Sequence, residues 1–286
     1  MTVRILTDSS HYLPSSVIDQ LNIHVLPLTL HLAGQDRREQ LDITTEELFE
    51  ALKDRKAGWP TTAAVSPAAF RDAYDALTRD GDEVVGVFMS RGTSVTVDNA
   101  QIAADEHPAR ERIQVVDSLG VSGALALTLY TVGELAAQGV AAEELMRVAR
   151  TMGKEMRVLF TVDTLDYLHR GGRMKGSQAL VGSLLGIKPV LCLNEGRIEL
   201  WSKARGKRKA LDAMLGELAD AMPAGEPVRV LIFDADAAAD ADGLAAALRD
   251  RLPVEQLHRT QIGPVVAAHV GPGCVAVAVC PVRAMH

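Results

Sequence analysis

The stretch Val3-Arg4-Ile5-Leu6-Thr7-Asp8-Ser9-Ser10 is a short apolar run that leads directly into a loop rich in hydroxyl groups. Two later segments repeat this order: residues 84–89 before Ser90, Thr93 and Ser94, and residues 113–116 before Asp117, Ser118 and Ser122. Helical patterns separate these runs. Short strands that alternate with helices are typical of an α/β fold with a parallel sheet.

The hydroxyl-rich loops are expected to lie together, because the carboxyl ends of parallel strands meet at one edge of a sheet. A fourth such loop, residues 61–66, precedes a helix that is predicted to begin at Ser66-Pro67. Hydroxyl groups beside helix N-terminal N–H groups would form an anion site. The same residue types are also common helix caps, and the sequence leaves both interpretations open.

The periodicity of the whole chain predicts eight strands and seven principal helices. The strands are predicted at residues 3–6, 23–32, 84–89, 113–116, 158–162, 188–193, 228–233 and 275–279. The helices are predicted at residues 14–21, 45–52, 67–77, 125–137, 141–152, 207–221 and 237–249. Segments rich in Gly, Arg and Lys appear only after about residue 160. We therefore expect two α/β domains, residues 1–156 and 157–286.

Composition excludes several classes of function. The 286 residues carry a formal charge of −7 and only 4% aromatic residues, which argues against a nucleic-acid-binding protein. The three cysteines form no Cys-x-x-Cys pair, and the histidines show no metal-ligand spacing, so neither a disulfide framework nor a metal site is expected. The first residues do not resemble a signal peptide, and no uncharged apolar run is long enough for a membrane helix. A cytoplasmic protein is expected.

Common catalytic motifs are only approached. The segments Gly92-Thr93-Ser94-Val95-Thr96 and Gly120-Val121-Ser122-Gly123-Ala124 come near the Gly-x-Ser-x-Gly nucleophile elbow, but both lack the final glycine. Residues 171–176 have the spacing of a phosphate-binding loop, but Ser177 stands where that loop needs a lysine.

Two further features are candidates for binding. Gly263-Pro264 and Gly271-Pro272-Gly273 bound a short apolar helix whose last turn contains His269. A basic segment is predicted to open a later helix, where positive charge opposes the helix dipole: Lys203, Arg205, Lys207, Arg208 and Lys209. This charge indicates either a solvated face or a surface for an acidic partner.

Taken together, these segments resemble the DegV family of bacterial fatty-acid-binding proteins. The resemblance covers nearly the whole chain. Its most specific parts are residues 163–173, which contain Leu165, Leu168 and Gly171-Gly172-Arg173, and residues 182–189, which end in Ile187-Lys188-Pro189. It implies a DegV-type fold, with a parallel sheet in the N-terminal domain and a mixed sheet in the C-terminal domain, and a long-chain fatty acid between the two.

The resemblance also implies roles for particular residues. Thr62 and Ser94 fall on the family positions that bind the carboxylate, and Arg173 and His269 on positions that line the head-group region. No cofactor or metal is implied, and any membrane contact would be transient. The best-understood members deliver the lipid to a separate ATP-dependent fatty-acid kinase, which makes an acyl phosphate. Arg205, with Lys203 and Lys207, is the expected docking contact for that kinase.

The chain departs from the family pattern around the carboxylate site. Ala63 and Arg91 replace family serines, Val65 replaces a proline, and Val95 replaces a glycine. Two hydroxyl donors are lost, and a β-branched residue stands where a glycine could take a positive φ. Arg91 could compensate with a charge-assisted hydrogen bond to the ligand.

Two alternatives to a carrier stay open at the level of sequence. One is a hydrolase that acts on a small anionic or ester substrate through Ser94 and His269. The other is a regulatory lipid sensor that has no kinase partner. Turnover of model esters by the isolated protein would indicate the hydrolase. Fatty-acid binding without support of acyl-phosphate formation would indicate the sensor.

Overall fold

The N-terminal half is built on a parallel sheet, as the alternating pattern predicts. A computed structural model describes residues 2–54, 58–174 and 186–286. Strands β1 (Val3–Asp8), β2 (Ile23–Leu26), β6 (Glu83–Phe88) and β7 (Ile113–Asp117) pair in the order β2-β1-β6-β7, all parallel. The hydroxyl-rich loops after β1, β6 and β7 therefore leave the same edge of this sheet.

Four helices pack on the parallel sheet. They are α3 (Pro67–Thr78), α4 (Thr96–Asp105), α5 (Gly123–Ala137) and α6 (Ala142–Glu155), and α3 packs against α4 and α5 against α6. Ser66 caps α3 by accepting a hydrogen bond from the N–H of Ala69, as expected from the Ser-Pro pair. Helix α5 is mainly buried, which fits its nearly uniform apolar sequence.

A small antiparallel sheet and two short helices complete this half. Strands β3 (Thr29–Leu32), β4 (Gln35–Arg38) and β5 (Thr61–Ala63) pair in the order β4-β3-β5, and the helices are α1 (Ser15–Gln20) and α2 (Thr45–Ala51). The single strand predicted over residues 23–32 is in fact β2 and β3, in two different sheets. Pro27 lies at the break, where its missing N–H cannot continue a ladder.

The C-terminal half contains the mixed sheet that the family resemblance implies. Its strands are β8 (Arg157–Thr161), β9 (Ile187–Asn194), β10 (Arg197–Arg205), β11 (Val228–Ala235), β12 (Val254–Gln261) and β13 (Cys274–Pro281), in the order β10-β9-β8-β13-β11-β12. Among these six described strands, only β11 and β12 pair in parallel.

The central strands β11 and β13 of the mixed sheet are buried on both faces. The helices of this half are α7 (Asp166–Arg170), α8 (Lys207–Ala221), α9 (Ala238–Arg251) and α10 (Pro264–Val270). Val230 and Ile232 of β11 pack into one hydrophobic cluster with α8 and α9. Leu231 and Phe233, the alternate residues, pack into the main cluster with α5. The second face of the mixed sheet therefore lies against the N-terminal half.

The predicted domain boundary falls at a structural junction, because α6 ends at Glu155 and β8 begins at Arg157. The main hydrophobic cluster contains residues from both sides of it, among them Leu125 and Phe160. The division at residue 156 stays a prediction. Of the helices in the described ranges, none combines the length and apolar character needed to cross a membrane.

Candidate functional site

One cavity brings together the five residues that the sequence assigns to ligand binding. It has a volume of about 390 Å³ and is lined by Thr62, Arg91, Ser94, Arg173 and His269. The rest of its wall is mainly apolar and comes from both halves of the chain, for example Leu28, Val121, Phe160, Leu193, Ile198 and Phe233. A mainly apolar pocket with a few convergent polar groups is the usual form of a small-molecule site.

The polar end of this cavity is centred on Thr62 and His269. The Thr62 Oγ1 atom, on β5, lies 2.9 Å from Nε2 of His269, in the last turn of α10. Burial, aided by the charge of Arg173, lowers the pKa of His269 to about 4, so the imidazole is neutral at pH 7. Its Nδ1 has no hydrogen-bond partner in the described ranges, and it packs so closely on Gly171 that a Cβ there would overlap it.

Helix α10 is held in place by two buried residues that the sequence analysis missed. The Val265 N–H donates to Glu39 Oε1 (2.7 Å), and the Val266 N–H donates to the Tyr12 hydroxyl (3.1 Å). Tyr12 in turn donates to Glu39 Oε1 (2.8 Å), and Ser9 donates to Glu39 Oε2 (2.5 Å). Burial raises the pKa of Glu39 to about 7. Glu39 follows four polar residues in sequence, so no local signal marks it as buried.

Ser94 sits at the entrance to α4 and acts partly as a cap. Its Oγ lies 2.8 Å from Thr96 Oγ1 and accepts a hydrogen bond from the Thr96 N–H at 3.2 Å. The next residue, Val95, has φ −85°, so the replacement of the family glycine introduces no left-handed backbone. Ser94 and His269, both within the described part of the chain, form no hydrogen bond with each other. The nucleophile–base contact of a hydrolase is therefore not formed.

The two arginines of the cavity differ in their partners. Arg173 is half-buried and donates from Nη1 to the Gly171 carbonyl (2.6 Å) and from Nε to the Thr93 carbonyl (3.4 Å). Arg91 is 54% exposed, and its Nε pairs with Asp98 Oδ1 at 2.7 Å. A ligand carboxylate would therefore have to compete with Asp98 for the hydrogen bond that Arg91 is expected to donate.

Most of the other hydroxyls at the sheet edge are used inside the protein. Thr7 donates to the Val87 carbonyl (2.7 Å), and Ser10 donates to Asp8 (2.5 Å). Ser118 bonds within its own turn. These groups stabilise the loops, whereas Ser122 lines the cavity.

A contact between the two halves of the chain positions the loop that carries Ser94. The Ser90 hydroxyl donates to the carbonyl of Gly196, in the β9–β10 turn, at 2.8 Å. A Cβ on Gly196 would overlap the Ser90 side chain, and a Cβ on Gly92 would overlap the Gly196 carbonyl. Both glycines permit a close approach that a larger residue would prevent.

The basic segment does not open a helix as a unit. Lys203 and Arg205 lie on β10, whose residues alternate between exposed and half-buried, and α8 begins only at Lys207. Trp201 is 51% exposed and lies at an irregularity in the pairing of β10 with β9. Lys207 is engaged within the protein, because its Nζ donates to the Gly273 carbonyl (2.7 Å) and pairs with Asp240 (2.9 Å).

Comparisons with known proteins agree with this architecture. A family model described as an uncharacterised protein of the DegV family matches residues 2–282. A DegV domain-containing protein of Streptomyces coelicolor is 37% identical over 97% of this chain and 98% of its own length.

Solved structures give the same result. A DegV family protein of Thermus thermophilus, described as fatty acid binding, superposes with a TM-score of 0.92 at 32% identity, over 98% of this chain and 100% of that one. DegV of Bacillus subtilis, described as a fatty acid binding protein, gives a TM-score of 0.87 at 27% identity, over 98% of this chain and 99% of that one. The family resemblance in the sequence included a motif at residues 182–189, and residues 182–185 of that motif lie outside the residues that the structure describes.

Proposed function

This chain belongs to the DegV family, and from that premise we propose that it binds a long-chain fatty acid with its carboxylate at Thr62 and its acyl chain along the apolar wall. The observation that carries the proposal is the contact between Thr62 and His269 at the polar end of a cavity that is otherwise mainly apolar. The fatty-acid-binding relatives named above support the same ligand class.

The protonation state of His269 explains how the Thr62 hydroxyl can donate a hydrogen bond to a carboxylate. A carboxylate only accepts hydrogen bonds, so the Thr62 hydroxyl must donate to it. This requires that Thr62 accept from His269, with the imidazole proton on Nε2. The resulting Nδ1 lone pair faces Gly171, where no donor lies among the described residues. Ser94 supplies a second hydroxyl, and Arg173 supplies a nearby positive charge.

The apolar wall supplies most of the affinity. Each buried methylene contributes about 0.8 kcal/mol, so a long chain offsets the cost of association by itself. The polar end then satisfies the carboxylate, which would otherwise be buried without donors.

The assignment of Thr62 is tested by replacing it with valine, which keeps the shape and removes the hydroxyl. We expect Thr62→Val to weaken binding of hexadecanoate by about tenfold or more, because a hydrogen bond to a charged group is lost. Binding of the methyl ester should change much less. Titration of both ligands measures this. Thr61→Val is the matched control, since Thr61 is an exposed neighbour on β5. Equal losses for acid and ester would contradict the assignment.

We further propose that the protein is a non-catalytic carrier that presents the carboxylate to a separate kinase. The kinase would bind ATP and transfer the γ-phosphoryl group to a carboxylate oxygen, and this chain would supply only the acceptor. Lys203 and Arg205, with the exposed Trp201 beside them, form a surface suited to an acidic partner. Lys207, which is already bonded to Gly273 and Asp240, contributes less to this surface.

The carrier role is tested by reconstitution with ATP and a bacterial fatty-acid kinase. We expect Arg205→Glu to lower the rate of acyl-phosphate formation at low carrier concentration while fatty-acid affinity stays unchanged. Arg79→Glu, the same charge reversal at the exposed end of α3, is the control. Acyl-phosphate formation without added kinase would contradict the non-catalytic carrier role. Equal rates for both variants would contradict docking of the kinase at Arg205.

A further inference from the structure

One polar group on the cavity wall is not used by the carboxylate site. Ser122 lines the same cavity as Thr62, and the residue is only 1% exposed. Its Oγ has no hydrogen-bond partner among the residues that the structure describes. Buried hydroxyls in native proteins nearly always have a partner, so this one indicates an atom that is supplied from the cavity.

Ser122 lies on the apolar part of the wall. It directly precedes α5, a helix of 15 residues that has no side-chain cap. The following Gly123 packs against Leu231 and Phe233 of β11, so closely that a Cβ would overlap both side chains. Phe233 and Val121 line the cavity beside it. These apolar neighbours suit the acyl chain of a ligand rather than its carboxylate, which the proposed function places at Thr62.

The turn at Ser122 has the shape of a nucleophile elbow but not its chemistry. It joins β7 to α5, and Ser122 has φ 56° and ψ −126°. A nucleophilic serine needs a base within hydrogen-bond distance. No described imidazole or carboxylate lies at that distance from its Oγ. The hydroxyl is therefore suited to binding and not to attack.

We infer that Ser122, at the N-terminus of α5, forms a second polar subsite that binds a hydroxyl group on the acyl chain. A hydroxyl both donates and accepts, as does the serine opposite it, and it carries no charge into an apolar wall. The ligand class favoured by this subsite is a long-chain fatty acid that is hydroxylated in the interior of its chain. This inference rests on the proposed fatty-acid function.

The test compares hexadecanoic acid with a series of its isomers that carry one hydroxyl at successive interior positions. Each ligand is titrated into the delipidated wild-type protein, Ser122→Ala and Ser118→Ala. Ser118 is the matched control, because it lies in the same loop and its hydroxyl is already bonded within the turn. Ser122→Gly is a second variant, which removes the hydroxyl and tolerates the positive φ.

We expect at least one isomer to bind the wild type as tightly as hexadecanoic acid or more tightly. Both Ser122 variants should bind that isomer about tenfold more weakly, because its hydroxyl would be buried without a partner. They should keep their affinity for hexadecanoic acid, and Ser118→Ala should keep the preference. Equal penalties for the hydroxyl in the wild type and both Ser122 variants would overturn the inference while leaving the fatty-acid function intact. If hexadecanoic acid itself does not bind, both the proposed fatty-acid function and this inference are contradicted.

Discussion

At the scale of single residues, the environment of His269 has the clearest consequence for pH. The folded protein holds its pKa at about 4, whereas an exposed histidine titrates near 6.5. Between these values the unfolded chain binds more protons than the folded chain. The free energy of unfolding therefore contains a term that is complete above about pH 6.5 and is lost as the pH falls towards 4. His11, which is also buried with a pKa of about 4, acts in the same direction.

We predict that the ligand-free wild type loses more stability than His269→Gln between pH 7 and pH 5. The difference should be at most about 2 kcal/mol, from the shift of one buried imidazole. Urea unfolding at both pH values measures it. Glu39, whose raised pKa stabilises the folded state at low pH, acts equally in both proteins and cancels from the comparison. Identical pH dependence in the two proteins would contradict a neutral, buried His269.

At the scale of elements, the β9–β10 turn supports the loop that carries Ser94. Gly196 has φ +74°, and the space where a Cβ would lie is taken by the Ser90 side chain. Gly225 has φ +76° with nothing within 4 Å of the Cβ position. Alanine at either position incurs the left-handed backbone cost of about 1–2 kcal/mol. Only Gly196→Ala would also push the turn away from the loop that leads to Ser94.

We predict that Gly196→Ala weakens binding of hexadecanoate several-fold, whereas Gly225→Ala leaves the affinity unchanged. Titration calorimetry on both variants, with thermal unfolding to compare their stability, makes the measurement. If both variants bind like the wild type, the β9–β10 turn does not position the Ser94 loop.

The same scale shows which elements the sequence could predict. The strands that the sequence predicts have paired strands or packed helices around them, and they carry the apolar runs on which the prediction depends. They include β1, β6, β7, β8, β9, β11 and β13. The strands that were missed, β4, β5, β10 and β12, lie at the edges of their sheets. These four edge strands expose part of their backbone and surface, and their sequences carry only a weak apolar signal, unlike the edge strands β2 and β7. Helix α10 was predicted because Gly-Pro and Gly-Pro-Gly bound it clearly.

At the scale of the whole molecule, the candidate site depends on contacts between residues far apart in sequence. Thr62 and His269 are 207 positions apart, and Glu39 reaches α10 over 226 positions. Local patterns cannot encode such pairs, so the site residues came from family resemblance, and Glu39 and Tyr12 were missed. The unpartnered Ser122 could be recognised only when its neighbours were known.

The central claim is that the cavity between the two halves holds a long-chain fatty acid. The most direct test is native mass spectrometry of the purified protein, together with lipid mass spectrometry of an extract made under denaturing conditions. We predict close to one long-chain fatty acid per chain, released on denaturation. A protein that is purified empty and that also fails to bind added fatty acids would contradict the claim.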